Sequence, residues 1–235
     1  MGKKKGAASA PHATAPKKSG GWERSTTTES DLAGQRRSRL LLEDSERVRL
    51  PGNEVIPNPA SGWRVMFVAF LVRGLSLPAH EFLRGLLFVY GVQLHQLTPN
   101  SILHIVCFIT LCECFLGIHP HWGLWKHIFQ VKRQSGKNAV FDVGGFGVSV
   151  RSDAEYFDRK MLESAQNWRK KWFYIRDEPG AGQQYGLEKF SADAVVTRKR
   201  TWRNELSDAE AAEADKLMAK VRVLRNTPVQ EVPVV

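Results

Sequence analysis

The sequence predicts an α+β fold, helix-dominant: a compact bundle of short apolar helices with a small antiparallel sheet, a disordered basic N-terminal tail and a C-terminal amphipathic helix. Three observations predict it. From Leu77 to Phe129 the chain is dense in Leu, Phe, Ile and His, its acids are Glu81 and Glu113, and Gly or Pro cuts it at helix-sized intervals. From Ala139 to Val150 the texture changes to alternation around Gly144-Gly145. Residues 1–46 combine Lys, Ala, Pro, Gly, Ser and Thr with one aromatic, Trp22, so little apolar surface is present to offset the entropy of ordering.

Arg47 to Pro59 reads as an extended lead-in with Pro51, Pro57 and Pro59. A first helix is expected over 63–73, Trp63 to Arg73, ended by Gly74. A second is expected from Pro78 to Tyr90, ended by Gly91, because glycine readily takes the left-handed conformation that closes helices. Thr98 as N-cap with Pro99 at the first helical position opens a third, which ends near Gly117. A fourth covers His121 to Phe129. All four are too apolar for isolated surface helices and must pack on one another. Ala139–Val150 reads as a β-hairpin, and Lys171 to Ile175 as another short strand. Pro179 to Tyr185 is a turn or linker rich in Gly and Gln. Ser207-Asp208-Ala209-Glu210 is a capping box opening the last helix. Its acids (Asp208, Glu210, Glu213, Asp215) precede its bases (Lys216, Lys220, Arg222, Arg225), matching the helix dipole. Leu217, Val221 and Leu224 form its expected apolar stripe, and Pro228 ends it.

At 235 residues the chain holds one ordinary domain plus tails, or two small domains. The net charge is +10, and it is uneven. Residues 1–49 carry 11 Lys/Arg against 6 Asp/Glu, whereas residues 136–235 carry 17 against 15. The positive excess is densest in the tail, which favours anionic partners met by a tail rather than by a groove. Cys107, Cys112 and Cys114 share one apolar helical stretch; this is no disulfide framework and fits a reducing, intracellular compartment, nucleus or cytoplasm. No secretory h-region follows Lys3-Lys4-Lys5, and Gly6 stands where a myristoylation signal needs Ser or Thr. Ile102–Ile118 is a 17-residue apolar run at the short limit for crossing a bilayer, with Glu113 inside it. It reads as a buried bundle helix, so no membrane span is expected.

Many positions match one known family in order. They are Leu77-Pro78-x-His80-x-Phe82-Leu83-Arg84-Gly85-Leu86, Tyr90-Gly91, Leu97-Thr98-Pro99-Asn100-Ser101-Ile102-Leu103-His104-Ile105, Leu111-Cys112-Glu113, Phe115-Leu116-Gly117, Pro120-His121 and Gly123-Leu124-Trp125-Lys126. This stretch resembles the plant "putative gypsy type transposon" domain family of gag-adjacent and unclassified retrotransposon proteins. Arg49-Leu50-Pro51-Gly52-x-Glu54-Val55 upstream, and Gly144-Gly145 with Trp168-Arg169-x-x-Trp172-Phe173-Tyr174-Ile175 downstream, extend the resemblance over roughly 48–178. It implies a transposon origin and no established activity. The resulting division is 1–46 tail, 47–178 family domain, 179–206 linker and 207–227 C-terminal helix.

Catalytic motifs fail one by one. Asp142-Val143-Gly144 has Val where a retroelement protease needs a hydroxyl. Tyr156-Phe157-Asp158-Arg159 has Arg where a reverse transcriptase needs its second metal-binding carboxylate. The glycines make no phosphate loop. Six of seven histidines lie between His80 and His127, and His104-x2-Cys107-x4-Cys112-x-Cys114-x4-His119-x-His121 has ligand types that zinc accepts. A continuous helix scatters those three cysteines around its axis, so neither zinc, another cofactor nor a Cys112–His104 catalytic pair is expected. The chain reads as non-enzymatic, without a small-molecule substrate.

Basic clusters remain. The candidate nucleic-acid contacts are Lys3, Lys4, Lys5, Lys17, Lys18, Arg36, Arg37, Arg39, Arg198, Lys199 and Arg200, which would neutralise phosphates without reading sequence. A further cluster, Arg169-Lys170-Lys171, interleaves with Trp168 and Trp172, which read as core anchors. The expected function is a retrotransposon-derived, non-catalytic binding or assembly module, working by self-association or with a protein partner. The alternative is a small basic nucleic-acid-binding protein acting through its tails.

Overall fold

The computed structural model describes residues 21–42, 45–134, 143–157, 165–177 and 187–227. The architecture is mixed α+β, with six α-helices and two small antiparallel sheets among the described residues.

Antiparallel pairing decides the first expected helix against the helical reading. Trp63–Phe67 is a strand, β2, and Val68–Val72 is only a short helix, α2. The β-branched and aromatic run Trp63-Arg64-Val65-Met66-Phe67 suits a strand, and a distant segment supplies its partner. That partner is β5, Trp172–Arg176, with Trp63 opposite Arg176 and Phe67 opposite Trp172. Strand β1, Val48–Arg49, pairs on the other side of β5, giving the order β1-β5-β2. The lead-in behind β1 is pinned too: Tyr174 Oη donates to Glu54 and accepts from the Asn58 amide at 2.9 Å.

The apolar block then builds helices near the expected bounds. Helix α3, Glu81–Tyr90, is capped by His80 Nδ1 accepting from the Phe82 amide and ends at Gly91, φ 61°. Helix α4, Pro99–Thr110, starts on Thr98 and Pro99 as the sequence predicts. It does not continue as α-helix to Gly117: Leu111–Leu116 widens into a π turn, closed by Gly117 at φ 64°. Helix α5, Trp122–Ile128, begins after His121, whose Nδ1 accepts from the Leu124 amide, and Phe129 already belongs to strand β3, Phe129–Arg133.

The expected hairpin over 139–150 is half present. Phe146–Val150 is strand β4, yet its partner is β3, with Phe129 opposite Val150 and Arg133 opposite Phe146. Ala139 to Asp142 lie outside the described residues. Ser101 fastens β4 to the start of α4: its Oγ accepts from the Val148 amide at 2.9 Å.

Two further expectations are corrected. Disorder does not extend over residues 21–42: Glu29–Arg37 forms helix α1, with a Thr28/Asp31 capping box. Trp22, Leu32 and Leu41 are buried in the same core as α3, α4 and α5. The arm lies along residues 168–172, with Trp172 Nε1 donating to Glu23 O at 2.8 Å and Lys171 Nζ 2.9 Å from Asp31. Three apolar anchors and borrowed backbone partners offset what the composition lacks. Residues 1–20 lie outside the described residues. Nor is 187–206 a free linker. Val196, Trp202 and Asn204 are buried, and Trp202 Nε1 donates to Tyr90 O at 2.9 Å.

The last helix, α6, is Asp208–Asn226, with the Ser207/Glu210 capping box as predicted. Its fully buried stripe is Ala214, Met218 and Val221, while Leu217 and Leu224 pack at the core margin. Its acids do more than match the dipole. Glu210 meets Lys126 at 3.0 Å, Glu213 meets His121 at 3.4 Å and Asp215 meets His127 at 3.9 Å, stitching α6 to α5.

Candidate docking groove

The π turn changes which side chains face solvent. Cys112 points into the core, and burial pushes its thiol up to about 11. Phe115 points out and is 64% exposed. Beside it opens an apolar groove of about 610 Å³. One wall is Val106, Cys107 and Thr110 of α4 with Leu111 and Phe115 of the π turn; the other is Tyr156, Phe157, Leu224 and Thr227. Glu113 of the turn lies 2.9 Å from Nε2 of His80, the residue that caps α3. Because His80 Nδ1 accepts from the Phe82 amide, Nε2 carries the proton donated to Glu113.

Two ion pairs involve residues near the second wall in sequence. Arg222 Nε donates to Glu155 at 2.5 Å, and this guanidinium holds the carboxyl below its usual range, with a smaller contribution from Arg225. Arg151 lies 3.5 Å from Asp153.

The other sequence candidates scatter. Arg37 and Arg39 are exposed at the end of α1, whereas Arg36 is half-buried 3.9 Å from Glu29. Lys199 lies across Gly91, its Nζ occupying the space where a β-carbon would stand, and Thr201 Oγ1 donates to Val89 O at 3.1 Å. With Trp202 these residues close the C-terminal end of α3, where a cation also opposes the helix dipole. Arg198 and Arg200 remain exposed. Lys3, Lys4, Lys5, Lys17 and Lys18 lie outside the described residues. Cys107 is half-buried, Cys112 buried and Cys114 exposed, and among the described residues no three His, Cys, Asp or Glu gather as a ligand set for a metal. His104 is buried against Phe129. Val143, the central residue of Asp142-Val143-Gly144, is buried and accepts from Arg169 Nε.

The segment that builds one wall of the groove is the one that compares with a known family. Residues 65–133 match the family model described as "Putative gypsy type transposon". The transposon-family segment thus runs from β2 through β3, inside the wider 48–178 resemblance, and covers under a third of the chain. No curated protein and no solved structure matches the chain. Tyr156, Phe157, Leu224 and Thr227, the second wall, lie outside the family segment.

Sequence reasoning did not assemble this groove. Its signal was present in α4, which is apolar on more than one face: Val106, Cys107, Thr110 and Leu111 follow one stripe while Ile102, Ile105 and Phe108 follow another. A helix apolar all round needs cover on every side. By length and composition Pro99–Leu116 is apolar enough to cross a membrane; 44% of it is buried in this fold. Tyr156 and Phe157 entered the sequence reading only as a failed polymerase motif.

Proposed function

We propose that this chain is a retrotransposon-derived module without catalysis that works by binding or assembly, through a protein contact in the groove beside Phe115. The observation carrying the reading is the pairing of a large exposed aromatic with an apolar groove on one face. Isolated exposed hydrophobes are ordinary, whereas a contiguous exposed apolar patch marks a contact surface, for a protein among other partners. Residues of the matched segment supply one wall of that groove. Three thiols without a disulfide fit work inside the cell, in nucleus or cytoplasm. No cofactor or small-molecule substrate enters this reading.

The second reading, nucleic-acid binding through Lys/Arg-rich segments, is favoured by the excess of 11 cationic over 6 acidic residues in 1–49 and by exposed Arg198 and Arg200. Light scattering with and without a single-stranded oligonucleotide, at low and near-physiological salt, separates the two. Assembly predicts a mass that rises with protein concentration and ignores the oligonucleotide. The nucleic-acid reading predicts a mass that changes only with oligonucleotide and at low salt.

A further inference from the structure

A second cavity, of about 150 Å³, opens where the chain after α1 meets strands β1 and β5, and it shares no lining residue with the groove beside Phe115. Leu71 of α2 and Ile175 of β5 are among its aliphatic walls, and Leu42, 61% exposed, stands with them. Three arginines line the same cavity: Arg39 just beyond α1, Arg47 just before β1 and Arg176 at the end of β5. Its described lining residues include no Asp or Glu. We propose that this cavity docks a protein partner through a segment that carries one large apolar side chain beside carboxylates. Charge selects the acids: guanidinium groups lining a cavity without a lining carboxylate attract anionic segments and repel basic ones, and their planar forks match a carboxylate. Size selects the single side chain, because a cavity of this volume holds one benzene-sized group and not an acyl chain. The lining contains no aromatic ring, so a nucleobase finds no platform to stack on. The backbone adds an independent mark. Arg39 holds φ 57°, at a position after a helix where glycine is the usual residue. A side chain kept where its backbone is disfavoured points to a use other than stability.

The probe is a library of random peptides displayed on phage, selected on the full chain and counter-selected on Ser76→Trp, which fills the cavity from an exposed lining position. Enriched peptides are expected to share one large apolar residue flanked by Asp or Glu. One of them, labelled and titrated by fluorescence anisotropy, then reads the variants, each first shown to be folded by its melting temperature. Arg39→Gly is the decisive variant. It relieves the left-handed backbone, so the melting temperature should hold or rise, while the peptide's dissociation constant should rise by about fivefold or more, the upper range for one partly exposed ion pair. Arg203→Ser, removing an arginine whose side chain is 73% exposed outside the cavity, should leave the constant unchanged. A selection that enriches nothing, or only peptides without acids, overturns the proposal. So does peptide binding that survives either Arg39→Gly or Ser76→Trp, or that Arg203→Ser weakens equally. A single-stranded oligonucleotide or anionic lipid vesicles that bind the full chain and are lost in both cavity variants, while no acidic peptide is selected, would assign the arginines to phosphates and overturn it as well. Each of these failures leaves the groove beside Phe115 as it stands, because the two surfaces share no residue.

Discussion

Tyr90 Oη lies at the centre of a buried polar network that no spacing in the sequence announces. It donates to Asn204 Oδ1 at 2.5 Å and accepts from Trp125 Nε1 at 3.1 Å, while Asn204 Nδ2 donates to Phe129 O at 2.8 Å. Burial pushes the phenol up to about 12, so it stays a neutral donor. Asn204 also holds φ 54°, a conformation that Asn tolerates better than most residues. Asn204→Ala is expected to cost about 2–4 kcal/mol, because it strands a buried hydroxyl and a carbonyl. Adding Tyr90→Phe should recover part of that loss, since an apolar ring leaves no hydroxyl unpaired; urea melts of both variants check it. His95 gives the complementary case. Its Nε2 is buried without a partner, its ring lies 5.1 Å from Trp22 and 5.2 Å from Phe190, and burial pushes its pKa down to about 3. The unfolded chain takes up this proton below about 6.5 and the folded chain resists until about 3. Folding is therefore weakened as pH falls through that window, by up to about 1.4 kcal/mol per unit. His95→Phe keeps the ring contacts, should stabilise by about 1 kcal/mol at neutral pH, and should flatten the acid slope. An unchanged slope between neutral and acid melts would assign it to carboxylates such as Glu210, held down at about 2 first by its hydrogen bond to the Ser207 amide.

At the scale of elements, legibility followed the range of the forces involved. Local signals held: Thr98-Pro99 opens α4, Gly91 closes α3, and Ser207 with Glu210 opens α6. Each depends on chemistry within a few residues. Trp63–Phe67 failed because its conformation is set by β5, more than a hundred residues away, and β propensity expresses packing against such partners more than backbone preference. The groove failed for the same reason, its two walls being distant in sequence. Glu113 was legible as a polar intruder, and its partner proves to be His80 at the surface, with side-chain exposures of 41% and 32%. An exposed pair of this kind is worth about 0–1 kcal/mol. Glu113→Ala should therefore lower stability by less than about 1 kcal/mol, read by thermal melting. A loss of several kcal/mol would mean that the pair holds the π turn in place and, with it, Phe115.

The whole molecule redraws the line between tail and domain. Composition places it at residue 46, but Trp22 is 3% exposed and stacks on Phe67, with Trp172 and Phe190 edge-on to it. Removing residues 1–46 therefore removes part of the core. Losing Trp22, Leu32 and Leu41 together is expected to abolish cooperative melting, since one buried Trp truncation alone costs about 3–5 kcal/mol. Removing residues 1–20 should leave the melting temperature unchanged, because none of those anchors goes with it. The two truncations also sharpen the nucleic-acid reading. Residues 1–20 contain Lys3, Lys4, Lys5, Lys17 and Lys18, and no acid. If these lysines neutralise phosphates on a single strand, the salt dependence of binding should flatten by up to about 3.5 in logarithmic slope. Titrating full-length and 21–235 chains with two unrelated oligonucleotides at two salt concentrations gives the answer. Equal slopes for both chains would remove the tail from the contact and leave Arg37, Arg39, Arg198 and Arg200 on the folded surface to account for any affinity. Tight binding to one oligonucleotide alone, kept after truncation, would show the folded domain reading sequence, and the assembly reading would fall with it.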